Sequence, residues 1–400
     1  MEKLLITTKQ KAHSVPTSFI RPVLNKINWN NRLIIMTGAR GVGKTTLLLQ
    51  YINIKLPYLE DKVLFITLDD IYFSKNNLLE LAEQFVQFGG EYLIVDEVHK
   101  YPGWSREIKN IYDTFPELKI VVTGSSTLEI YKGEGDLSRR ARIYHLQGLS
   151  LREYLEYEYK LLISSITLEE ILNSKNTISL DLSSTFKPMK VYNEYLKEGY
   201  YPFYKEDKEG YGTRLLQTLN VIFENDLSAV YNIDYTASTK LKKLLSIIAS
   251  LVPFKPNISK LSQQLDVSRE TLMRYLYFLQ KADVIRVLNA KTGGISLLNK
   301  PEKVYLNNTN LSYALSEFQQ CPNTGNLRET FFLNQISYKH LVQYSEKGDF
   351  VVDQTMTFEV GGKNKTSKQI MNVENSWIVA DNLEVGSGNK IPLWLFGLLY

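Results

Sequence analysis

An α/β fold with a five-stranded parallel sheet is what the amino-terminal third of this sequence predicts, and three observations carry that expectation. Short apolar strands alternate with helical stretches from Leu33 to Gln147. A glycine-rich loop joins the first strand to the first helix, and a later strand ends in two carboxylates. The strands fall at Leu33–Thr37, Lys62–Thr67, Tyr92–Val95, Lys119–Thr123 and Ile143–Gln147, each bounded by polar or glycine-rich sequence. They are apolar runs without strict alternation, as expected of strands covered on both faces.

The loop reads Gly38, Ala39, Arg40, Gly41, Val42, Gly43, Lys44, Thr45, in the spacing G-x-x-x-x-G-K-S/T, followed by Thr46. Glycines let successive backbone N–H groups turn inward around a phosphate, and the helix amino terminus that follows favours an anion. Lys44 is expected to reach terminal phosphates and Thr45 to offer its hydroxyl to Mg²⁺, so ATP and Mg²⁺ are the implied ligands. Tyr92–Val95 leads into Asp96 and Glu97, with Asp96 lying 96 − 44 = 52 residues beyond the lysine. That separation suits one excursion returning to the same sheet edge. Asp96 is assigned to Mg²⁺, and Glu97 to orienting or deprotonating an attacking water.

The strand Lys119–Thr123 runs into Gly124, Ser125 and Ser126, so Ser125 or Thr123 is the candidate to sense the γ-phosphate, against an ordinary turn. Arg139, Arg140 and Arg142 precede the last strand. Arg140 is the candidate arginine finger, in cis or across a subunit boundary, and a solvated surface is the competing account. His99 reads as a helix-start polar residue, and an amino-terminal cap explains at least one of Asp69 and Asp70.

Four hundred residues, 44% of them hydrophobic, predict two or three domains with real cores. The expected divisions are a nucleotide-binding domain over 1–148, a tyrosine-rich helical extension over 149–238, a helix-turn-helix unit over 239–303 and a mixed region over 304–400. Strands in that last region are expected near Phe350–Val352, Thr357–Val360 and Trp377–Val379. The formal charge of +4 is too mild to imply nucleic acid by itself. A single cysteine, Cys321, excludes an internal disulfide framework, and a reducing, cytoplasmic setting is the natural reading. The start of the chain does not read as a signal peptide, and no membrane association is expected. The apolar run Ile391–Tyr400 is too short to cross a bilayer and reads as a buried strand or docking tail.

Within residues 257–285, Leu261, Leu265 and Val267 precede Leu272, Leu276 and Leu279, spacings that pack a short helix on a longer one. Ser268 caps the second helix, and Val284–Asn289 would begin a wing. Arg269, Thr271, Arg274 and Tyr275 are the expected exposed positions and candidate DNA contacts. Residues 253–303 carry nine basic against four acidic residues, a locally basic field. Packing or partner binding is the alternative use of such a module.

The order GARGVGKTT, LDD, YLIVDEVHKYPGW, KIVVTGSS, LSRRARIYHLQGLSLREYLEYE resembles the AAA-type, archaeal-ATPase-like proteins, a STAND-related P-loop family. Arg139 stands where that family has a glycine before the arginine. The resemblance also implies a nuclease-like carboxyl-terminal region of the PD-(D/E)XK type, with Glu329, Asp349, Glu359 and Lys363 as its second site. Here Gly361 replaces the expected lysine two residues after Glu359, and an inactive scaffold is the preferred reading. The expected protein is thus an ATP-binding and hydrolysing switch whose later modules engage DNA or a protein partner, with oligomerisation open. An ATP-gated nuclease and an ATP-binding interaction protein that touches no nucleic acid are the alternatives.

Overall fold

The structure is a computed structural model that describes residues 1–124, 137, 139–231, 233–251, 255–289, 300–316 and 322–400. The chain divides into two compact units, Met1–Gln147 with Glu224–Ile233, and Gly148–Phe223 with Asp234–Tyr400.

The first unit is α/β. Strands β1 (Leu33–Thr37), β2 (Val63–Thr67), β3 (Tyr92–Asp96), β4 (Lys119–Thr123) and β5 (Arg142–His145) form one all-parallel sheet in the order β2-β3-β4-β1-β5. The period of two sorts their side chains. Leu33 and Ile35, Leu64 and Ile66, Leu93 and Val95, and Ile120 and Val122 share one core cluster with Leu81 and Phe85 of helix α3 (Leu78–Gln87) and Ile108 and Ile111 of α4 (Trp104–Thr114). Ile34, Met36, Val63, Phe65, Ile94 and Val121 alternate with them and are also buried. Burial on both faces is why the sequence shows runs instead of alternation. Each such side chain contributes roughly 1.5–3 kcal/mol of transfer free energy.

Two further helices flank the sheet, α1 (Glu2–Ser14) and α2 (Lys44–Lys55). Helix α1 also partners the free side of edge strand β2 at Phe65. Phe65 N donates to the Thr8 hydroxyl at 3.0 Å, and that hydroxyl donates to Phe65 O at 3.2 Å. Strand β5 ends two residues short of the expected Gln147. Leu146 N still donates to Thr37 O at 2.8 Å, but the Arg21 guanidinium takes the Gln147 carbonyl at 2.6 Å.

The second unit begins with four helices, α5 (Leu151–Tyr159), α6 (Leu168–Thr185), α7 (Pro188–Glu198) and α8 (Tyr211–Val221). Ser150 and Thr167 start the first two with reciprocal capping boxes to Glu153 and Glu170. Buried tyrosines dominate their packing, and each polar tip must find a partner. Tyr195 donates to Leu149 O at 2.7 Å, and Tyr211 to Asn310 Oδ1 at 2.6 Å. Asn310 also accepts from Tyr200 N and donates to the Tyr195 and Leu196 carbonyls, filling a buried amide's capacity.

Helix α9 (Tyr235–Leu251) leads to α10 (Ile258–Leu265) and α11 (Arg269–Lys281), separated by a short turn in which Asp266 is left-handed. Strand β6 (Ile285–Leu288) follows and pairs antiparallel with β7 (Lys303–Leu306). After α12 (Thr309–Ser316) and α13 (Thr324–Ile336) comes a mixed sheet ordered β12-β11-β10-β9-β8. Its strands are β8 (Val342–Tyr344), β9 (Phe350–Val352), β10 (Met356–Gly361), β11 (Ser376–Ala380) and β12 (Lys390–Pro392). The closing run Ile391–Tyr400 is buried throughout, as a short strand and a 3-10 turn. Among the described residues no helix is long and apolar enough to cross a membrane. Cys321 lies outside the described residues.

Candidate functional site

Parallel strands deliver their carboxyl ends to one edge, so the loops after β1 and β3 and the tip of β4 gather there. After β1 the chain turns through Gly38–Gly43 and enters α2 at Lys44. Gly38, Gly41 and Gly43 hold φ of 145, 85 and 93°, a region that side chains resist. The Lys44 ammonium is buried and arches back over the loop, donating to the Gly38 and Ala39 carbonyls at 2.8 and 2.9 Å. Thr45 and Thr46 open the helix with exposed residues, and the Thr45 hydroxyl donates to Asp96 Oδ2 at 2.6 Å.

Asp96 ends β3 and is 3% exposed. Strand β4 lies between β1 and β3, which brings the Thr123 hydroxyl at its tip onto Asp96 Oδ1. Burial pushes the Asp96 carboxyl above its ordinary range, and the Thr123 and Thr45 hydrogen bonds oppose that only in part. A buried carboxylate beside a threonine hydroxyl offers hard oxygen donors and negative charge, which suits Mg²⁺. Among the described residues no group of three or more His, Cys, Asp or Glu side chains converges to hold a metal alone. A cation at this place therefore needs phosphate and water oxygens to complete its shell.

Glu97 follows in a left-handed conformation, φ 55°, with its side chain 21% exposed. Its Oε2 lies 3.4 Å from His99 Nε2. The same nitrogen lies 3.6 Å from Asp226 Oδ1, so the imidazole bridges two carboxylates. Sequence reasoning set His99 aside as a helix-start polar residue and did not reach Asp226. Asp226 is 1% exposed and faces Arg40 Nη1 at 3.5 Å and Lys100 Nζ at 3.4 Å. Burial alone would raise its pKa, but the adjacent His99 imidazole and the Arg40 and Lys100 cations bring it below the usual carboxylate value. Asp226 lies 226 − 44 = 182 residues beyond Lys44, and the local string FEND has no motif spacing to flag it. Its one signal is conformational, a π-helical turn over Ile222–Asp226, a feature frequent at functional sites.

Arg140 is not brought to this edge. It precedes β5, and a loop entering a parallel strand lies at the edge opposite the loops leaving it. There it forms a bidentate pair with Asp113 at the end of α4, Nε–Oδ1 and Nη2–Oδ2 both 2.9 Å. A finger role in cis does not fit that placement. Ser125 lies outside the described residues. Asp70 caps the short turn after β2 by accepting from Tyr72 N at 2.9 Å, and Asp69 accepts from the Thr67 hydroxyl at 2.6 Å.

In the second unit Arg269 and Arg274 are exposed at the start of α11, and Thr271 is partly so. Arg269 donates to the Ser259 hydroxyl at 2.6 Å and Arg274 to the Thr271 hydroxyl at 3.4 Å. Tyr275, expected outside, is 6% exposed, because it falls on the Leu272, Leu276 and Leu279 face of the helix.

Glu329, Asp349 and Glu359 do fall in one neighbourhood, with partners the sequence did not suggest. Lys303 of β7 places its ammonium 3.4 Å from Glu329 Oε2 and 3.2 Å from Asp349 Oδ1. The Tyr305 hydroxyl donates to Glu329 at 2.6 Å, and Val360 N to Asp349 at 2.9 Å. Glu359 pairs with Lys365, not Lys363, which is exposed and reached only through its carbonyl by Lys390. Burial, then the nearby Asp349 charge, raises the Glu329 pKa. An ammonium wedged between the two acids does not fit a divalent-cation site.

Residues 30–155 match the family model described as AAA domain, and residues 189–321 match a domain of unknown function (DUF8612). Uncharacterized protein MJ1637 of Methanocaldococcus jannaschii is 29% identical over 277 residues, covering 64% of this chain and 57% of that protein. The chain thus spans little more than half the length of this curated relative. Among solved structures, a Walker-type ATPase of Pyrococcus abyssi is similar with a TM-score of 0.41 and 14% identity, covering 76% of this chain and 94% of that one. Cdc6p from Pyrobaculum aerophilum gives a TM-score of 0.29 at 10% identity, over 80% of this chain and 94% of that one.

Proposed function

We propose that the first unit binds and hydrolyses ATP, and that the second unit couples this cycle to DNA or a protein partner. The observation that carries the first half is the contact of the Thr45 hydroxyl with the buried Asp96 carboxylate beneath a loop whose glycines and Lys44 can receive a triphosphate. The match of residues 30–155 to an AAA domain supports the same reading.

On this reading the backbone N–H groups of residues 38–45 cradle the phosphates, and Lys44 exchanges its two carbonyl acceptors for phosphate oxygens. Thr45 and Asp96 would hold Mg²⁺, which would supply charge neutralisation to the bound phosphates. Thr123 holds Asp96 in place from the neighbouring strand. Glu97 orients the attacking water and takes up its proton, at a position with partial solvent access. Phosphate release and nucleotide binding by wild type, Lys44→Ala and Glu97→Gln test this. Loss of binding in Lys44→Ala, and binding without turnover in Glu97→Gln, are expected. Equal phosphate release by wild type and Glu97→Gln removes Glu97 from the mechanism.

DNA is the partner favoured by one further observation. The helix-turn-helix and β6–β7 ribbon present Arg269 beside Lys255 and Lys300 around a cleft of about 420 Å³, with Arg274 exposed on the same helix. A winged-helix module with those cations supports phosphate-backbone contact. Salt-sensitive DNA retention that disappears in Arg269→Ala/Arg274→Ala is the expected result, and retention unchanged by the pair refutes the assignment. The acidic neighbourhood around Lys303 is read as a scaffold without nuclease activity. Cutting of plasmid DNA with Mg²⁺ by wild type but not by Asp349→Ala would overturn that.

A further inference from the structure

The environment of Asp226 differs from that of the Arg140–Asp113 pair in the same unit. Arg140 and Asp113 close to 2.9 Å twice over, as a structural guanidinium–carboxylate pair does. Asp226 is far more buried, yet its basic neighbours stand at 3.4, 3.5 and 3.6 Å, and none closes to a short contact. It shares its charge among all three. Those neighbours come from the two segments that the proposed reaction uses: Arg40 from the phosphate loop, and His99 and Lys100 from the turn directly after Glu97. Arg40 and Lys100 keep 34% and 26% of their side chains exposed, so either can change partner without unpacking a core.

We propose that Asp226 is a positioning residue for nucleotide turnover, whose carboxylate restrains the Arg40 and Lys100 cations and, through His99, sets the orientation of Glu97. Two opposed consequences follow. While Asp226 holds Arg40 and Lys100, part of their charge is spent on a protein carboxylate, and the site binds a triphosphate less tightly than its cations allow. In return His99, anchored at Asp226, restrains the Glu97 side chain, whose backbone already sits in a left-handed conformation. Asp226 thus trades ground-state affinity for a correctly held base, which raises turnover rather than occupancy. The residue belongs to the ten-residue segment Glu224–Ile233, and on either side of it the chain passes into the second unit.

This inference rests on the ATPase reading, and Asp226→Asn separates the two. The amide is isosteric and keeps an acceptor but loses the charge. Nucleotide affinity is measured by titration with a fluorescent ADP analogue, turnover by phosphate release, and folding by circular dichroism and thermal melting. Asp226→Asn is expected to bind nucleotide roughly three- to tenfold more tightly, as two partly screened cations are released toward the phosphates. Its kcat is expected to fall on the order of tenfold or more as Glu97 loses its anchor. Adding Arg40→Ala is expected to cancel most of the affinity gain and leave kcat low. A merely structural role would weaken affinity and turnover together, and that result, or no change in either, overturns the inference while the wild-type activity leaves the ATPase reading standing. Wild-type protein that binds no nucleotide overturns both. Should Asp226→Asn not fold, His99→Gln replaces it: kcat reduced with affinity unchanged supports the link to Glu97, and an unaltered kcat refutes it.

Discussion

Gly38→Ala tests whether the phosphate loop is held in its shape by its contact with Leu146, the residue that follows strand β5. An added Cβ would sit 2.2 Å from the Leu146 carbonyl oxygen and 3.1 Å from its carbonyl carbon. A relaxed C···O contact is about 3.3 Å, so the backbones must part by about 1 Å. The parting cannot be absorbed locally, because the Leu146 N–H is hydrogen-bonded to Thr37 O at 2.8 Å, one residue before the glycine. Losing that bond costs about 0.5–1.5 kcal/mol. Holding alanine at a φ of +145° adds about 1–3 kcal/mol. A total near 3 kcal/mol, over a unit of about 160 residues unfolding with ~2.1 cal/mol/K each, lowers the melting midpoint of that unit by about 9 °C. Gly89→Ala is the control: φ is +82° there but nothing lies within 4 Å of the added Cβ, so it reports the backbone cost alone. That cost is about 1–2 kcal/mol. Calorimetric melting of both variants gives the difference, and nucleotide titration shows whether the displaced Gly38 carbonyl carries Lys44 with it. A Gly38→Ala midpoint no lower than that of Gly89→Ala, with nucleotide affinity intact, refutes the reasoning.

Arg140→Ala is expected to leave ATP turnover within about twofold of wild type, because its guanidinium is committed to Asp113 at the far edge of the sheet; phosphate release measures it. Lys303→Met leaves Glu329 and Asp349 facing each other in a half-closed site, and chemical denaturation should register a loss of about 2–4 kcal/mol. Glu158 titrates at about 2 instead of 4.5; burial raises it, and bonds from Lys208, Tyr204 and Lys205 more than reverse that. A folded-state pKa below the unfolded one gives stability that is present above pH 4.5 and lost as pH falls from there toward 2. Melting curves across that window should be flatter for Glu158→Gln, and identical slopes would remove Glu158 from the acid response.

What the sequence made legible is what local pattern encodes. Four of the five parallel strands lie within a residue of their expected limits, because an apolar run between turn residues is a short-range signal. The loop from Gly38 to Thr45 and the strand ending at Asp96 were legible for the same reason, and parallel pairing brought them together. The cis half of the Arg140 reading failed by ignoring strand direction: the residues before a strand and those after it lie at opposite edges. Tyr275 was misjudged by a helical face, since its spacing from Leu272 and Leu279 points it inward. Asp226 and Lys303 could not be found at all. Each meets its partners only through long-range folding, and a lone acid or lysine in a helical or strand pattern is ordinarily solvated.

The path of the chain through its two units has a practical outcome for anyone dissecting this gene. A fragment stopped at Gln147 would hold all five parallel strands and every nucleotide-site motif visible in the sequence, and by ordinary criteria would pass as a whole domain. It would nevertheless omit Glu224–Ile233, and with it a buried carboxylate lying among Arg40, His99 and Lys100, leaving those three to face one another without it. Weak or absent activity in such a fragment would therefore say little about the intact protein. A faithful excision must splice the two stretches, replacing residues 148–223 by a short linker.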